Sequence, residues 1–150
     1  MRNRFVGLVL GVAVLVGAFS AWPQAADTDV RFAALEIFVE TAEPLAAWQF
    51  ELSESAGRMR VVGVENGENT AFGDAPYYDL EAVSSGRADR IIVADYSLNS
   101  AGELPTGRNR IATIHVQLEG TTAPDYVLNL VAAGGASGEP IQASIDFDTP

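Results

Sequence analysis

Residues 110–119 read Arg-Ile-Ala-Thr-Ile-His-Val-Gln-Leu-Glu, and their rhythm decides the fold. Ala112, Ile114, Val116 and Leu118 fall on one phase; Thr113, His115, Gln117 and Glu119 fall on the other. That period of two is a β-strand with one buried and one wetted face. The same rhythm recurs outward in both directions. Leu35, Ile37 and Val39 alternate with Glu36 and Glu40, and Trp48, Phe50 and Leu52 alternate with Gln49, Glu51 and Ser53. Met59 to Glu65 is a Val-rich run closed by the turn dipeptide Asn66-Gly67. Arg90 to Leu98, Tyr126 to Leu130 and Ile141 to Phe147 complete the series. Short strands at this spacing, parted by Gly, Pro, Asn and Ser clusters, predict an all-β antiparallel sandwich. Leu80 to Arg87 offers one helical turn at most. Loops are expected over Asn66–Tyr78, Asn99–Asn109 and Ala133–Pro140.

Residues 1–26 differ from the rest. Arg2 and Arg4 precede an apolar run of 15 residues from Phe5 to Phe19, followed by Pro23, Ala25 and Ala26. That order is a secretory signal peptide, expected to be helical. The alternative is an uncleaved anchor over residues 5–22, close to the roughly 20 residues a bilayer span needs. The expected organisation is thus a leader over 1–26 and one domain over 27–150, secreted to an extracellular or periplasmic space.

The chain has 20 acidic residues against nine arginines and no lysine, for a net charge of −11. Removing the leader takes away two arginines and no acid. Such a balance excludes nucleic acid, whose phosphates require clustered cations, and docking on an anionic membrane surface. There is no cysteine, so disulfides, thiolate metal sites and cysteine nucleophiles are excluded. The one histidine, His115, sits on the polar phase of its strand. No Gly-x-Ser-x-Gly elbow occurs, and twenty acids supply chance carboxylate pairs in plenty, so no catalytic centre is expected.

Two clusters are binding candidates. Tyr77 and Tyr78 are adjacent and must point oppositely if extended; with Tyr96 they could stack on a sugar or anchor a protein. The loop containing Glu65, Asn66, Glu68 and Asp74 carries hard oxygens of the kind calcium takes, although its spacing is not that of an EF-hand. An ordinary polar turn is the simpler account of it.

From about Val30 to Phe147 the chain resembles the cohesin-like domains, relatives of carbohydrate-binding modules. The stretches that carry the likeness are Ala47-Trp48-Gln49-Phe50-Glu51-Leu52, Met59 to Gly67, and Gly107 to Val116. The usual Tyr-Asp-Pro turn after the first motif is replaced here by Ser53-Glu54-Ser55-Ala56-Gly57. The resemblance implies a jelly-roll sandwich of about eight to nine strands with no cofactor. It implies a protein-binding role through a sheet face or loop rim; the alternative is a carbohydrate-binding module whose partner is a polysaccharide.

Overall fold

The computed structural model describes residues 29–150. The expected leader over 1–26 and the alternative anchor over 5–22 lie outside them. Seven strands occur among the described residues: β1 (Val30–Thr41), β2 (Leu45–Glu54), β3 (Met59–Asn66), β4 (Arg90–Tyr96), β5 (Gly107–Glu119), β6 (Tyr126–Gly135) and β7 (Ser144–Asp148). They form two sheets of order β3-β5-β1-β7 and β4-β2-β6, and every pairing is antiparallel. The expected eight to nine strands become seven, because two further extended segments make only single bridges, Tyr77 with Ala94 and Gly134 with Pro140. A short helix, α1 (Leu80–Ser84), is capped by the Asp79 carboxylate, which accepts the Ala82 N–H at 2.8 Å.

The inward phase of each strand builds one core. Leu35, Ile37 and Val39 of β1 and Ile114, Val116 and Leu118 of β5 meet Trp48, Phe50 and Leu52 of β2, all buried. Trp48 stacks on Phe50 at 5.7 Å and meets Phe72 edge-on at 6.0 Å, so the aromatic centre spans strand and loop. A bulge in β5 opposite Ile37 and Phe38 buries Ile111 and Ala112 together. It also turns Arg108 and Arg110 to the outer face beside Thr113 and His115.

Two turns depend on particular residues. The Asn66-Gly67 pair reads as a turn that wants a positive φ, yet Gly67 is not among the positive-φ glycines. What it supplies is space: a Cβ there would lie 2.1 Å from the Arg110 carbonyl oxygen. In the replaced turn after β2, Gly57 takes φ 69°. The buried Glu54 carboxylate gathers that turn by accepting from the N–H groups of Ala56 at 3.1 Å and Arg58 at 2.9 Å, and from the Arg58 guanidinium at 2.7 Å.

Candidate functional surface

The two sheets present very different outer faces. On the four-stranded sheet, charges are matched across the strands. Arg108 lies 3.5 Å above the Phe38 ring and pairs with Asp146 at 2.8 Å and Asp148 at 3.0 Å. Arg110 donates to the Thr113 hydroxyl at 2.7 Å and lies 3.9 Å from Glu36. His115 Nε2 is 3.0 Å from Glu65 on β3. Val30 and Phe32 near one end of β1, the latter 70% exposed, and Val62 on β3 are the large apolar exceptions. Most of this face is engaged with itself.

The outer face of β4-β2-β6 is mixed, with its polar residues toward the Arg90 end and its small and apolar ones toward the Tyr96 end. Cross-strand register sets it out in rows: Arg90, Ser53, Val127; then Ile92, Glu51, Asn129; then Ala94, Gln49, Ala132; then Tyr96, Ala47, Gly134. Val131 projects from a bulge in β6 beside the third row. Ile92, Tyr96, Val127 and Val131 are all exposed, with Tyr77 and Leu98 at the rim. One ion pair crosses the face, Arg90 with Glu51 at 3.0 Å. Where Ala47, Ala94, Ala132 and Gly134 meet, the small side chains leave an open, mostly apolar groove of about 650 Å³, closed at one end by Pro140 and Ile141. Exposed apolar side chains around such a groove are uncommon on a solvated sheet face.

Two of the three candidate tyrosines come together here. The Tyr77 N–H donates to the Ala94 carbonyl at 2.8 Å, which carries its row one position beyond β4. Its ring stacks on Tyr96 with centroids 6.0 Å apart and planes at 8°. Tyr77 is 62% exposed and Tyr96 55%. The Tyr96 hydroxyl and the nearby charges of Asp95 and Asp74 push the Tyr77 phenol above its usual range. Tyr78 turns the opposite way and packs against the core, as adjacency in an extended segment requires.

The loop cluster Glu65, Asn66, Glu68 and Asp74 does not converge, and among the described residues no group of three or more His, Cys, Asp or Glu side chains gathers. Glu65 belongs to the outer face of the four-stranded sheet, beside His115. Glu68 accepts the Arg110 N–H at 3.4 Å, and the Asn66 amide donates to the Gly73 carbonyl at 3.2 Å. The 3-10 turn at Thr70–Phe72 separates these residues from Asp74, which lines a different pocket.

Sequence reasoning passed over Ile92, Val127 and Val131. The available signal was their phase: each is apolar where its strand should carry a polar residue.

Three solved structures share this architecture. They are the CaDoc0917–CaCohA2 complex (10% identity, 75% of this chain and 82% of that one, TM-score 0.55); the Coh-OlpA–Doc918 complex, a type I cohesin–dockerin complex from Clostridium thermocellum (10%, 75% and 82%, 0.54); and the seventh ScaB type I cohesin from Pseudobacteroides cellulosolvens (12%, 73% of each chain, 0.52). No family model and no curated protein matches the chain. At these identities the likeness is one of fold, and in fold the domain is cohesin-like.

Proposed function

We propose that the chain is an exported, non-catalytic module that binds a protein partner on the outer face of β4-β2-β6. The observation that carries this is the contrast between the two faces. On one, Arg108, Arg110 and His115 are engaged with acids and its exposed apolar residues line no groove; the other leaves Tyr96 and Val131 in solvent around a groove of small residues, with Ile92 and Val127 on the same face. An apolar anchor from the partner fits the groove, and the aromatic pair at its edge supplies rigid contact area. The similar structures include a complex of a type I cohesin with a dockerin, so a dockerin-like module is the first partner to try. The chain's acidity favours a partner with basic residues around an apolar centre. Export follows from the leader read over residues 1–26, which has the basic, apolar and small-residue order of a signal peptide.

Carbohydrate binding by Tyr77 and Tyr96 is the second reading. Its support is their exposure and the near-parallel planes of their rings.

Substitution on the face separates these readings. Ala94→Arg fills the groove and Ile92→Asp charges its flank. Each is expected to weaken protein binding about 30-fold or more, the scale of a ~2 kcal/mol hot spot. Phe32→Asp on the opposite sheet should leave binding unchanged. Calorimetry against a dockerin-like module, beside retention on insoluble polysaccharide, provides the check. Retention on polysaccharide that is lost in Tyr77→Ala, with no protein binding, would replace the first reading with the second.

A further inference from the structure

We propose that the polar pocket between the 70–77 segment and the end of β4 is a site for a divalent cation of the calcium class, held by the carboxylates of Asp95 and Asp74. Asp95 lies on the inward phase of β4, opposite Trp48 of β2. It is only 7% exposed. One carboxylate oxygen, Oδ1, accepts the Tyr96 N–H at 2.7 Å. The other, Oδ2, is buried without a hydrogen-bond partner. An ionised carboxylate has about four acceptor positions, and a buried charge left with a single backbone partner is disfavoured. Nothing basic answers it: among the described residues no Arg or His approaches Asp95 or Asp74 within salt-bridge distance.

The second carboxylate is what points beyond a proton or a single water. Asp74 lines the same pocket of about 350 Å³ and, among the described residues, makes no side-chain hydrogen bond or ion pair. Burial first, and then the Asp74 charge, push the Asp95 carboxyl above its usual range. A proton on Asp95 or a water at Oδ2 would answer that oxygen alone, whereas a dication would also use the exposed Asp74 carboxylate. A dication offsets both charges together. The remaining lining groups with donor atoms are oxygen-bearing, with the Thr70 and Ser97 hydroxyls, the Asn99 side-chain amide and loop carbonyls. Oxygen ligands without imidazole or thiolate select a hard cation, and the volume leaves room for the several waters that complete calcium's six to eight ligands. With two carboxylates only, the affinity belongs to the weak, extracellular class, with a dissociation constant of about 10⁻⁴–10⁻³ M.

Such an ion would tie the 70–77 segment, which delivers Tyr77, to the end of β4, which carries Tyr96. Cation binding itself requires no docking partner, so its test runs on the chain alone and is independent of the proposed function. Calcium chloride titrated into the purified chain should give saturable heat for one ion and raise the melting temperature relative to chelator. Asp74→Asn, a substitution at an exposed position, should weaken binding at least tenfold while leaving the melting temperature in chelator unchanged. Asp95→Asn should abolish binding and raise the melting temperature in chelator, because it removes the unmatched buried charge. Glu68→Gln, on the other side of the loop, should bind as the parent does. Absence of saturable heat up to about 10 mM calcium, beyond the weak class, or binding that survives Asp74→Asn unchanged, would overturn the proposal.

Discussion

Phe50→Ala is expected to lower the free energy of unfolding by about 4 kcal/mol. Phe50 sits mid-way along β2, the central strand of its sheet, paired to Val93 on one side and Leu130 on the other. It has no exposed surface, and its ring stacks on Trp48. Truncation removes the transfer free energy of the ring and leaves a void that Trp48 and Leu52 cannot close, because the hydrogen bonds of β2 hold them to both neighbours. Against the 5–15 kcal/mol that stabilises an ordinary domain, such a loss is large. Urea denaturation should show a lower midpoint with an unchanged slope, and the melting temperature should fall by about 10–20 °C. Phe32→Ala, at a largely exposed ring, should change stability by no more than about 0.5 kcal/mol. Equal effects of the two substitutions would contradict the placement of the core.

The second large effect is expected at Glu54, with a sign that depends on pH. Burial alone would raise its carboxyl. The N–H and guanidinium of Arg58, together with the Asp125 N–H, outweigh burial and hold the carboxyl below its ordinary value of 4.5. A group whose folded pKa is depressed contributes stability that is complete above its unfolded pKa. That contribution fades as pH falls through the folded value. Glu54→Gln keeps the shape but loses the charge that three donors of the 54–58 turn converge on. Losing a hydrogen bond to a charged group costs about 1.5–3 kcal/mol, and the partly exposed Arg58 puts this case near the lower end. At pH 7 the variant should therefore be about 1.5 kcal/mol less stable than the parent. As pH falls below about 4.5 the two should converge, since the parent carboxylate becomes protonated. Denaturation curves collected from pH 7 to pH 3 provide the check. A gap that stays constant with pH would show that shape, and not charge, holds the turn.

The strands were legible in the sequence because alternation is local: each of the seven runs contains its own phase, and Trp48, Phe50 and Leu52 declare their common side without outside help. Strand count was legible too, since the seven alternating runs are the seven strands; eight to nine were implied by the family resemblance. Tyr77 and Pro140 lie in extended segments that find only one partner position each, and nothing local distinguishes a bridge from a ladder. Gly67 was read as a turn former, whereas its requirement comes from the Arg110 backbone, some forty positions further along the chain. The proposed docking face is a product of long-range register. Ala47, Ala94 and Gly134 line one groove only after β2 has paired with β4 and β6, and no neighbourhood in the sequence shows that meeting. Asp95 stands between these cases. An acid on the apolar phase shared by Ile91 and Val93 was readable as an anomaly, but its lack of a counter-ion required the packed structure.

Photo-crosslinking tests the central claim most directly. Benzoylphenylalanine placed at position 96 keeps an aromatic ring on the β4-β2-β6 face, and the same group at position 32 puts one on the opposite sheet. With a dockerin-like module present, irradiation should join the partner to the chain from position 96 and not from position 32. Adducts from position 32 alone would contradict the assignment of the working surface.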